Sequence, residues 1–125
     1  MSGTPGYVLF PSDGTHLTAA ASATTWTWKT ACADMNFYQG KISVKQTCTG
    51  SSTVTEGPGG YPSADLVLQG DGNLVIYNGG TAEWDSRTNG NTGDVMFLQP
   101  DGNLVIYGTY GQSLWSTNTQ NAPAT

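Results

Sequence analysis

The chain has 125 residues, of which 10% are charged, and its formal net charge is −5 at pH 7. This length fits one domain, and a chain with four Lys and Arg residues lacks the basic footprint that nucleic-acid binding needs. No apolar run approaches the roughly 18 residues of a membrane-spanning helix. We therefore expect a single domain that neither binds nucleic acid nor inserts into a membrane.

Glycine and strand-forming residues dominate the composition. The 17 glycines, with frequent Thr, Tyr, Val and Trp, predict an all-β chain with many tight turns. Residues 1–6 lack the basic and apolar regions of a signal peptide. We expect either a protein made without one or a mature or recombinant form, and we favour an extracellular location over cytoplasmic storage.

The N-terminal segment contains apolar stretches on both sides of a turn. Residues 7–10 (YVLF) precede a Pro-Ser-Asp-Gly turn, and residues 16–18 (HLT) follow it. Residues 25–28 (TWTW) predict a further strand, in which we expect one of Trp26 and Trp28 to face the core and the other the surface. His16 lies near a turn without a Ser or Cys partner, and we interpret it as an ordinary surface residue.

An internal repeat organises the rest of the chain. Residues 66–77 read LVLQGDGNLVIY and residues 96–107 read MFLQPDGNLVIY, with nine of twelve positions identical at an offset of 30. Thirty residues further back, residues 36–47 read NFYQGKISVKQT and keep the Gln and the apolar rhythm. In this alignment Lys41 replaces the Asp, Ser43 the Asn, Lys45 the Val and Thr47 the Tyr. The chain therefore has three units of about 30 residues, two intact and one decayed.

Each intact unit is predicted to form a hairpin. An apolar run meets a turn in which Gly72 or Gly102 supplies the positive φ, and the chain returns as Asn-Leu-Val-Ile-Tyr. Side chains alternate faces along a strand, so the Leu and Ile should face the core. The Asn, Val and Tyr share the opposite face, which is too polar to be buried without partners, and we expect it to be open.

A loop and a Trp-containing strand follow each hairpin, at residues 82–85 and 113–116. The count gives about twelve short strands, four per unit, and no helix. Three amphipathic sheets that cannot stand alone would enclose one core, with a Trp from each unit near the middle. We therefore interpret Trp84 and Trp115 as core residues, with a role as sugar-stacking platforms as the alternative.

The two cysteines, Cys32 and Cys48, lie in the decayed unit. An even count permits one disulfide without proving it, and two buried thiols are the alternative. With the turn centred near Lys41, Cys48 should lie opposite a residue near Asp34, which brings a cross-strand disulfide within reach. The cysteine spacing matches no metal motif, and the Asp-Gly-Asn triplets lack the further oxygen ligands of a calcium loop. We expect no metal and no cofactor.

The repeated motif carries one chemical set twice, at Gln69, Asp71, Asn73, Val75 and Tyr77 and again at Gln99, Asp101, Asn103, Val105 and Tyr107. An ionised Asp only accepts hydrogen bonds, Asn and Gln amides donate and accept, and a Tyr hydroxyl does either. A sugar ring offers adjacent hydroxyls that need both roles and a C–H patch that a Val methyl can cover. The set suits a neutral polyol, because a hydroxyl gains a charge-assisted bond from the carboxylate.

This spacing resembles the signature of the bulb-type, or monocot, mannose-binding lectin family. The resemblance covers most of the chain, since residues 7–18 are similar to the family's first hairpin and residues 114–119 to its closing strand. It implies the β-prism II fold, in which three four-stranded antiparallel sheets surround a pseudo-threefold axis.

The resemblance also implies a role for each motif residue. Asp71 and Asn73 would bond the axial 2-hydroxyl of mannose, Gln69 the 3-hydroxyl and Tyr77 the 4-hydroxyl, with Val75 beneath the ring. The second copy would do the same with Asp101, Asn103, Gln99, Tyr107 and Val105. The axial hydroxyl distinguishes mannose from glucose, and a site built to bond a hydroxyl rejects analogues that leave its polar groups unpaired.

Family members often exchange their C-terminal strand between two subunits. The resemblance therefore implies a homodimer in which residues 112–119 are exchanged and residues 120–125 form a tail. Such a dimer would carry four sites and agglutinate mannose-bearing cells. The chain departs from the family in its third unit, whose site we expect to be dead or repurposed, and in its cysteine placement. We expect residues 49–64 to form an extended loop near the lost site.

Other functions stay open at this point. A glycosidase would use Asp71 and Asp101 as its carboxylate pair, but the repeat puts them on separate hairpins, too far apart for such a pair. A lectin-like antimicrobial or toxin effector would use the same fold, and an interaction module would keep the fold with inactive pockets. A purely turn-stabilising role for the Asp and Asn would leave the repeated Gln and Tyr unexplained.

Overall fold

The computed structural model describes residues 8–15, 17–18, 25–49 and 53–120. Eleven strands lie in these ranges, and no helix there is long and apolar enough to cross a membrane. The strands are β1 Val8–Pro11, β2 Trp26–Lys29, β3 Ala33–Tyr38, β4 Lys41–Gln46, β5 Thr53–Glu56, β6 Asp65–Leu68, β7 Leu74–Asn78, β8 Thr81–Asp85, β9 Val95–Leu98, β10 Leu104–Tyr107 and β11 Ser113–Ser116.

The strands form three antiparallel sheets, in the orders β1-β9-β10-β11, β2-β3-β4-β5 and β6-β7-β8. The predicted all-β prism of three sheets is confirmed. The third sheet gains a substitute for its fourth strand, because the N–H groups of Gly14, Leu17 and Thr18 donate to the carbonyls of Leu68 and Leu66 on β6. The motif copies form the β6–β7 and β9–β10 hairpins, and the decayed unit forms β3–β4.

The N-terminal segment does not pair as predicted. β1 pairs with β9, with Leu9 opposite Phe97, whereas residues 17–18 contact β6, so the expected first hairpin does not form in the described residues. Tyr7 and His16 lie outside those residues. The segment instead covers the edges of two different sheets, where unpaired strand edges would invite association with another chain. Two sheets have the expected four strands, and that of the last unit takes its fourth strand, β1, from the N-terminal segment.

One hydrophobic core lies between the three sheets. Its largest fully buried apolar side chains alternate with outward-facing residues along the hairpin strands, as Met35, Phe37, Ile42, Leu66, Leu68, Leu74, Ile76, Met96, Leu98, Leu104 and Ile106. The prediction that the Leu and Ile of both motif copies face the core is confirmed. Full burial of each such side chain contributes roughly 1.5–3 kcal/mol, so the hairpins are fixed by their inner faces.

The four tryptophans all pack, partly buried, against this core. The prediction that Trp26 and Trp28 face opposite sides is wrong, because residues two apart on a strand point to the same face. Trp84 and Trp115 meet edge to face with ring centroids 5.7 Å apart, in agreement with their predicted core packing. Trp28 contacts Phe10 instead, at 5.8 Å.

The decayed unit has a shorter turn than the intact units. Its innermost core pair, Phe37 and Ile42, is separated by residues 38–41, whereas the corresponding pair Leu68 and Leu74 is separated by residues 69–73. The alignment at a constant offset of 30 is therefore wrong on both strands, because the core positions correspond at offsets of 31 for Phe37 and Leu68 and 32 for Ile42 and Leu74. By strand register, the decayed unit has Lys41, Ser43 and Lys45 where the first intact unit has Asn73, Val75 and Tyr77.

Cys32 and Cys48 form a disulfide at the base of the decayed hairpin, with their Cα atoms 4.9 Å apart. The position of Cys48 differs from the expected one, because the turn lies at Gln39-Gly40 rather than near Lys41. Asp34 consequently pairs with Lys45, and Cys48 lies beside Ala31, whose carbonyl oxygen is 3.5 Å from its sulfur.

Residues 49–64 are not a loop throughout, contrary to the prediction. Residues 53–56 form β5, which pairs with β4 from Lys45 opposite Thr53 to Ile42 opposite Glu56. The alternation of Thr, Val, Thr and Glu fits a strand that is half covered, and pairing with β4 satisfies its backbone groups. This strand completes the sheet of the decayed unit.

Candidate functional site

The ten predicted binding residues form two clusters, each on the turn and return strand of one hairpin. The first site comprises Gln69, Asp71, Asn73, Val75 and Tyr77, and the second site comprises Gln99, Asp101, Asn103, Val105 and Tyr107. In the first turn the N–H of Gln69 donates to the carbonyl of Asn73, and that of Gly72 donates to the carbonyl of Gln69. The same two bonds recur in the second turn, so both sites have one backbone scaffold.

Both turns require glycine at their innermost position. Gly72 has φ 91° and Gly102 has φ 98°, a region that residues with a Cβ adopt at a cost. A Cβ on Gly102 would also come within 2.9 Å of the carbonyl oxygens of Cys32 and Thr119. A Cβ on Gly72 would collide with the carbonyl of Asn91 in the same way. Each turn is thus seated tightly on a neighbouring part of the fold.

The Asn of each site braces the loop that follows the next strand. In the first site Asn73 Oδ1 accepts hydrogen bonds from the N–H of Thr88, at 3.1 Å, and from the hydroxyl of Ser86, at 3.2 Å. In the second site Asn103 Oδ1 accepts from the N–H of Thr119 and the hydroxyl of Thr117, each at 3.2 Å. The amide oxygens are therefore committed to the scaffold.

The outer face of the return strand is less open than predicted. Asn73 and Asn103, whose amides bond the loops at residues 86–88 and 117–119, are 8% exposed, and the two valines are 2% exposed. The tyrosines are half-buried, whereas Asp71 and Asp101 are exposed. The expectation of an open face is wrong for the Asn and Val, and the exposed polar groups of each site are those of Asp, Gln and Tyr.

In the first site the exposed groups are linked in a chain of hydrogen bonds. The Tyr77 hydroxyl donates to Gln69 Oε1, and Gln69 Nε2 donates to Asp71 Oδ1 at 3.2 Å. The same carboxylate oxygen accepts the N–H of Asn73 at 3.0 Å. A carboxylate has about four acceptor positions, so Asp71 keeps capacity for a ligand hydroxyl.

In the second site the carboxylate is less engaged. Gln99 Nε2 donates to the Tyr107 hydroxyl at 2.5 Å, which leaves the hydroxyl hydrogen available to a ligand. Asp101 Oδ1 accepts the N–H of Asn103 at 3.0 Å, and no bond from Gln99 reaches this carboxylate. The two sites share their residues but not their internal hydrogen bonding.

The Asn amide groups also differ between the sites. Asn73 Nδ2 donates to Asp85 Oδ2 at 2.9 Å, so this donor is already used. The corresponding residue of the second site is Ser116, whose hydroxyl donates to Asn118 instead. Asn103 Nδ2 has no acceptor among the described residues. The second site therefore keeps a donor that the first site has spent within the protein.

An open cavity of about 380 Å³ lies at the second site, lined by Phe97, Gln99, Pro100, Asp101 and Tyr107. Three of these residues were predicted from the motif, whereas Phe97 and Pro100 were not. A comparison of the two motif copies could have identified Phe97 and Pro100, because the copies differ at only three positions. Two of the three are Val67 against Phe97 and Gly70 against Pro100.

Asp94 is a further residue that sequence reasoning missed. It is fully buried beside the first site, and neither carboxylate oxygen forms a hydrogen bond of normal geometry within the described residues. Burial raises the pKa of Asp94, the nearby Ser12 hydroxyl opposes this shift, and the Asp71 carboxylate adds to it. A Cβ on Gly72 would lie 3.0 Å from Asp94 Oδ2, so the buried carboxyl directly underlies the first turn.

No protein-family model and no curated protein matches the chain. Among solved structures, it is similar to monomeric monocot mannose-binding lectins from Gastrodia elata, with 25% identity, a TM-score of 0.67 and coverage of 93% of this chain and 99% of that one. It is also similar to a Japanese Marasmius oreades lectin, with 26% identity, a TM-score of 0.62 and coverage of 89% and 90%.

Proposed function

We propose that this chain belongs to the bulb-type mannose-binding lectin family and recognises mannose or mannose-containing glycans. The observation that carries the proposal is the presence of one donor and acceptor set in two hairpins of the same backbone geometry. The likeness to the Gastrodia elata mannose-binding lectins, which extends over nearly all of both chains, supports it.

The residues of each site would divide the sugar hydroxyls between them. Asp71 or Asp101 would accept a hydrogen bond from the axial 2-hydroxyl, with the Asn amide beside it. The Gln would bond the 3-hydroxyl and the Tyr the 4-hydroxyl. The exposed carboxylates and half-buried tyrosine hydroxyls have the spare bonding capacity that this requires. A glucose epimer would leave the carboxylate without its hydroxyl, and a polar group left unpaired on binding lowers affinity.

Binding at one shallow site is weak, so the biological effect would come from several sites acting together. Two sites on separate sheets of one chain can join two glycans. We also propose a homodimer formed by exchange of residues 112–119, which would carry four sites and agglutinate cells. In the single chain β11 pairs with β10 of its own sheet, so exchange would replace these contacts by equivalent ones from a partner.

The proposal includes no catalysis. Asp71 lies on the β6–β7 hairpin and Asp101 on the β9–β10 hairpin, in different sheets, and a glycosidase needs both carboxylates around one glycosidic bond. Incubation with manno-oligosaccharides should release no new reducing ends. Measurable release that the Asp71→Ala and Asp101→Ala changes abolish would overturn this part of the proposal.

A titration of methyl α-mannoside into the protein, with methyl α-glucoside as control, tests the function. We expect binding of the mannoside alone, its loss in the double variant Asp71→Ala/Asp101→Ala, and an unchanged circular dichroism spectrum in that variant. A glycan array competed with free mannose extends the test to natural ligands. Mannose binding that survives in the double variant would show that the assigned sites are wrong. Light scattering at two concentrations tests the dimer separately, and a strict monomer would overturn only that proposal.

A further inference from the structure

We propose, on the basis of the mannose-binding function above, that the second site is an extended site. It would bind mannosides that carry a second ring with an apolar face next to the mannose. The first site would bind the mannose unit without this preference. The two motif copies would then have different ligand specificities in spite of their shared polar residues.

An apolar row crosses the outer face of the sheet that holds the second site. Phe97 on β9 lies opposite Val105 on one side and opposite Leu9 of β1 on the other. Residues directly opposite each other in a sheet share a face, so the three side chains are neighbours. The row begins beneath the proposed mannose, at Val105, and runs outward to Leu9, which is 48% exposed.

The aromatic ring of Phe97 is held in place at the cavity wall. It meets the ring of Tyr107 edge to face, with centroids 5.8 Å apart and an interplanar angle of 67°. The same tyrosine hydroxyl is one of the proposed sugar-binding groups. A ligand ring that follows the mannose would therefore meet the half-exposed Phe97 ring, with the Pro100 ring also lining the cavity.

The volume of the cavity suits a small-molecule ligand. Its volume of about 380 Å³ falls in the range of roughly 300–1,000 Å³ in which drug-sized ligands bind. Its lining combines three polar residues with two apolar ones, Phe97 and Pro100. A monosaccharide held by the polar residues would have Phe97 and Pro100 beside it, where the next group of the ligand can contact them.

The first site provides an internal control for this inference. Val67, at the position of Phe97, is only 6% exposed, and Gly70 at the position of Pro100 has no side chain. In place of a neighbouring strand, Gly14, Leu17 and Thr18 bond to β6, and the buried Thr18 hydroxyl donates to Asp65. Among the residues that the structure describes, the first site thus keeps the polar set without an aromatic wall or an exposed apolar row.

Two single-site proteins allow each site to be measured alone. Asp101→Ala leaves the first site and Asp71→Ala leaves the second. Each is titrated with methyl α-mannoside, phenyl α-mannoside and an α-linked dimannoside. We expect the second site to bind at least one of the larger ligands about 3- to 10-fold more tightly than methyl α-mannoside, the range expected of an aromatic ring contact. The first site should bind all three within about two-fold.

Substitutions at the wall test whether it causes the preference. Phe97→Val, which introduces the residue type of the first site, should reduce the affinity ratio of the second site toward one. Leu9→Ala should reduce the same affinity ratio partly. Because Leu9 is exposed, this second variant tests the apolar row without a change in the core. The reciprocal Val67→Phe should raise the ratio of the first site, with thermal melting to verify that the larger side chain is accommodated.

The choice of ligands also shows which kind of second ring the wall binds. A gain for the dimannoside alone identifies a second sugar ring, and a gain for the phenyl mannoside alone identifies an apolar aglycone. Equal affinity of the second site for all three ligands, unaffected by Phe97→Val, would overturn the inference and leave the proposed function intact. If methyl α-mannoside binds neither the single-site proteins nor the parent, the proposed function itself fails.

Discussion

The side-chain amide of Gln46 donates a hydrogen bond of 2.7 Å to the backbone carbonyl of Asp101, in the turn of the second site. In the first site the corresponding carbonyl, that of Asp71, accepts instead from the N–H groups of Gly90 and Asn91. Those two residues belong to the loop that leads into the next hairpin. The second site is the last one in the chain, so a side chain from the decayed unit supplies the missing donor.

Replacement of Gln46 by Leu should destabilise the fold and weaken the second site more than the first. Gln46 is 1% exposed, donates also to the Thr119 carbonyl, and accepts the N–H groups of Cys48 and Thr49. The substitution leaves buried backbone groups unpaired, at about 1–3 kcal/mol for each group that finds no water. Thermal melting and titration of the two single-site proteins measure both effects. Equal loss at both sites would contradict the proposed bracing role.

Replacement of Asp94 by Asn should stabilise the protein at neutral pH and change its pH dependence. Because burial raises the pKa of Asp94 above its ordinary value of 3.8, the folded protein holds this proton more tightly than the unfolded chain. The contribution of Asp94 to the free energy of unfolding is therefore favourable below about pH 3.8 and is lost as pH rises through the raised pKa. The Asn side chain of the Asp94→Asn variant does not ionise, so the variant does not lose this stability as pH rises.

Denaturant titration of the parent and Asp94→Asn between pH 3 and pH 7 checks this prediction. The difference in unfolding free energy should grow from low to neutral pH in favour of the variant. Subtraction of the two curves removes the contribution of the other carboxyl groups, which are common to both proteins. A difference that is constant with pH would show that Asp94 does not titrate differently on unfolding.

Exchange of Asp85 and Ser116, the residues beside the Asn amide groups, should change the mannoside affinity of the two sites in opposite directions. Asp85→Ser in the first-site protein should free Asn73 Nδ2 for a sugar hydroxyl and raise mannoside affinity, whereas Ser116→Asp in the second-site protein should lower it. One hydrogen bond contributes about 0.5–1.5 kcal/mol, which corresponds to roughly 2- to 13-fold in affinity. Titration of methyl α-mannoside measures both changes. The same direction of change in both variants would contradict the assignment.

Loss of the disulfide should lower stability without removing either site. Cys32 and Cys48 are 16 residues apart in sequence, and a cross-link of this span contributes about 3 kcal/mol in the chain-entropy account. The double variant Cys32→Ser/Cys48→Ser should therefore melt at a lower temperature and still bind methyl α-mannoside at the first site. Loss of first-site binding below the melting transition would show a wider structural role.

The hairpins and their inner faces could be predicted because a period of two and a repeat of 30 residues define them locally. The partners of β1 could not, because a short apolar run carries no signal for which of several sheet edges it covers. The bracing role of Gln46 was equally hidden, since it depends on contacts with Asp101 and Thr119, far away in sequence. The apolar wall at Phe97 and Pro100 was visible in the sequence as two differences between otherwise matching copies.

The shortened turn of the decayed unit limits how a trivalent form of this protein can be engineered. Four residues connect Phe37 to Ile42, whereas five connect Leu68 to Leu74. Point substitutions at constant length would put Asp and Asn side chains on a turn that has the wrong span to present them. Installing a third pocket therefore requires one inserted residue between Tyr38 and Lys41, together with replacement of the lysines on the return strand.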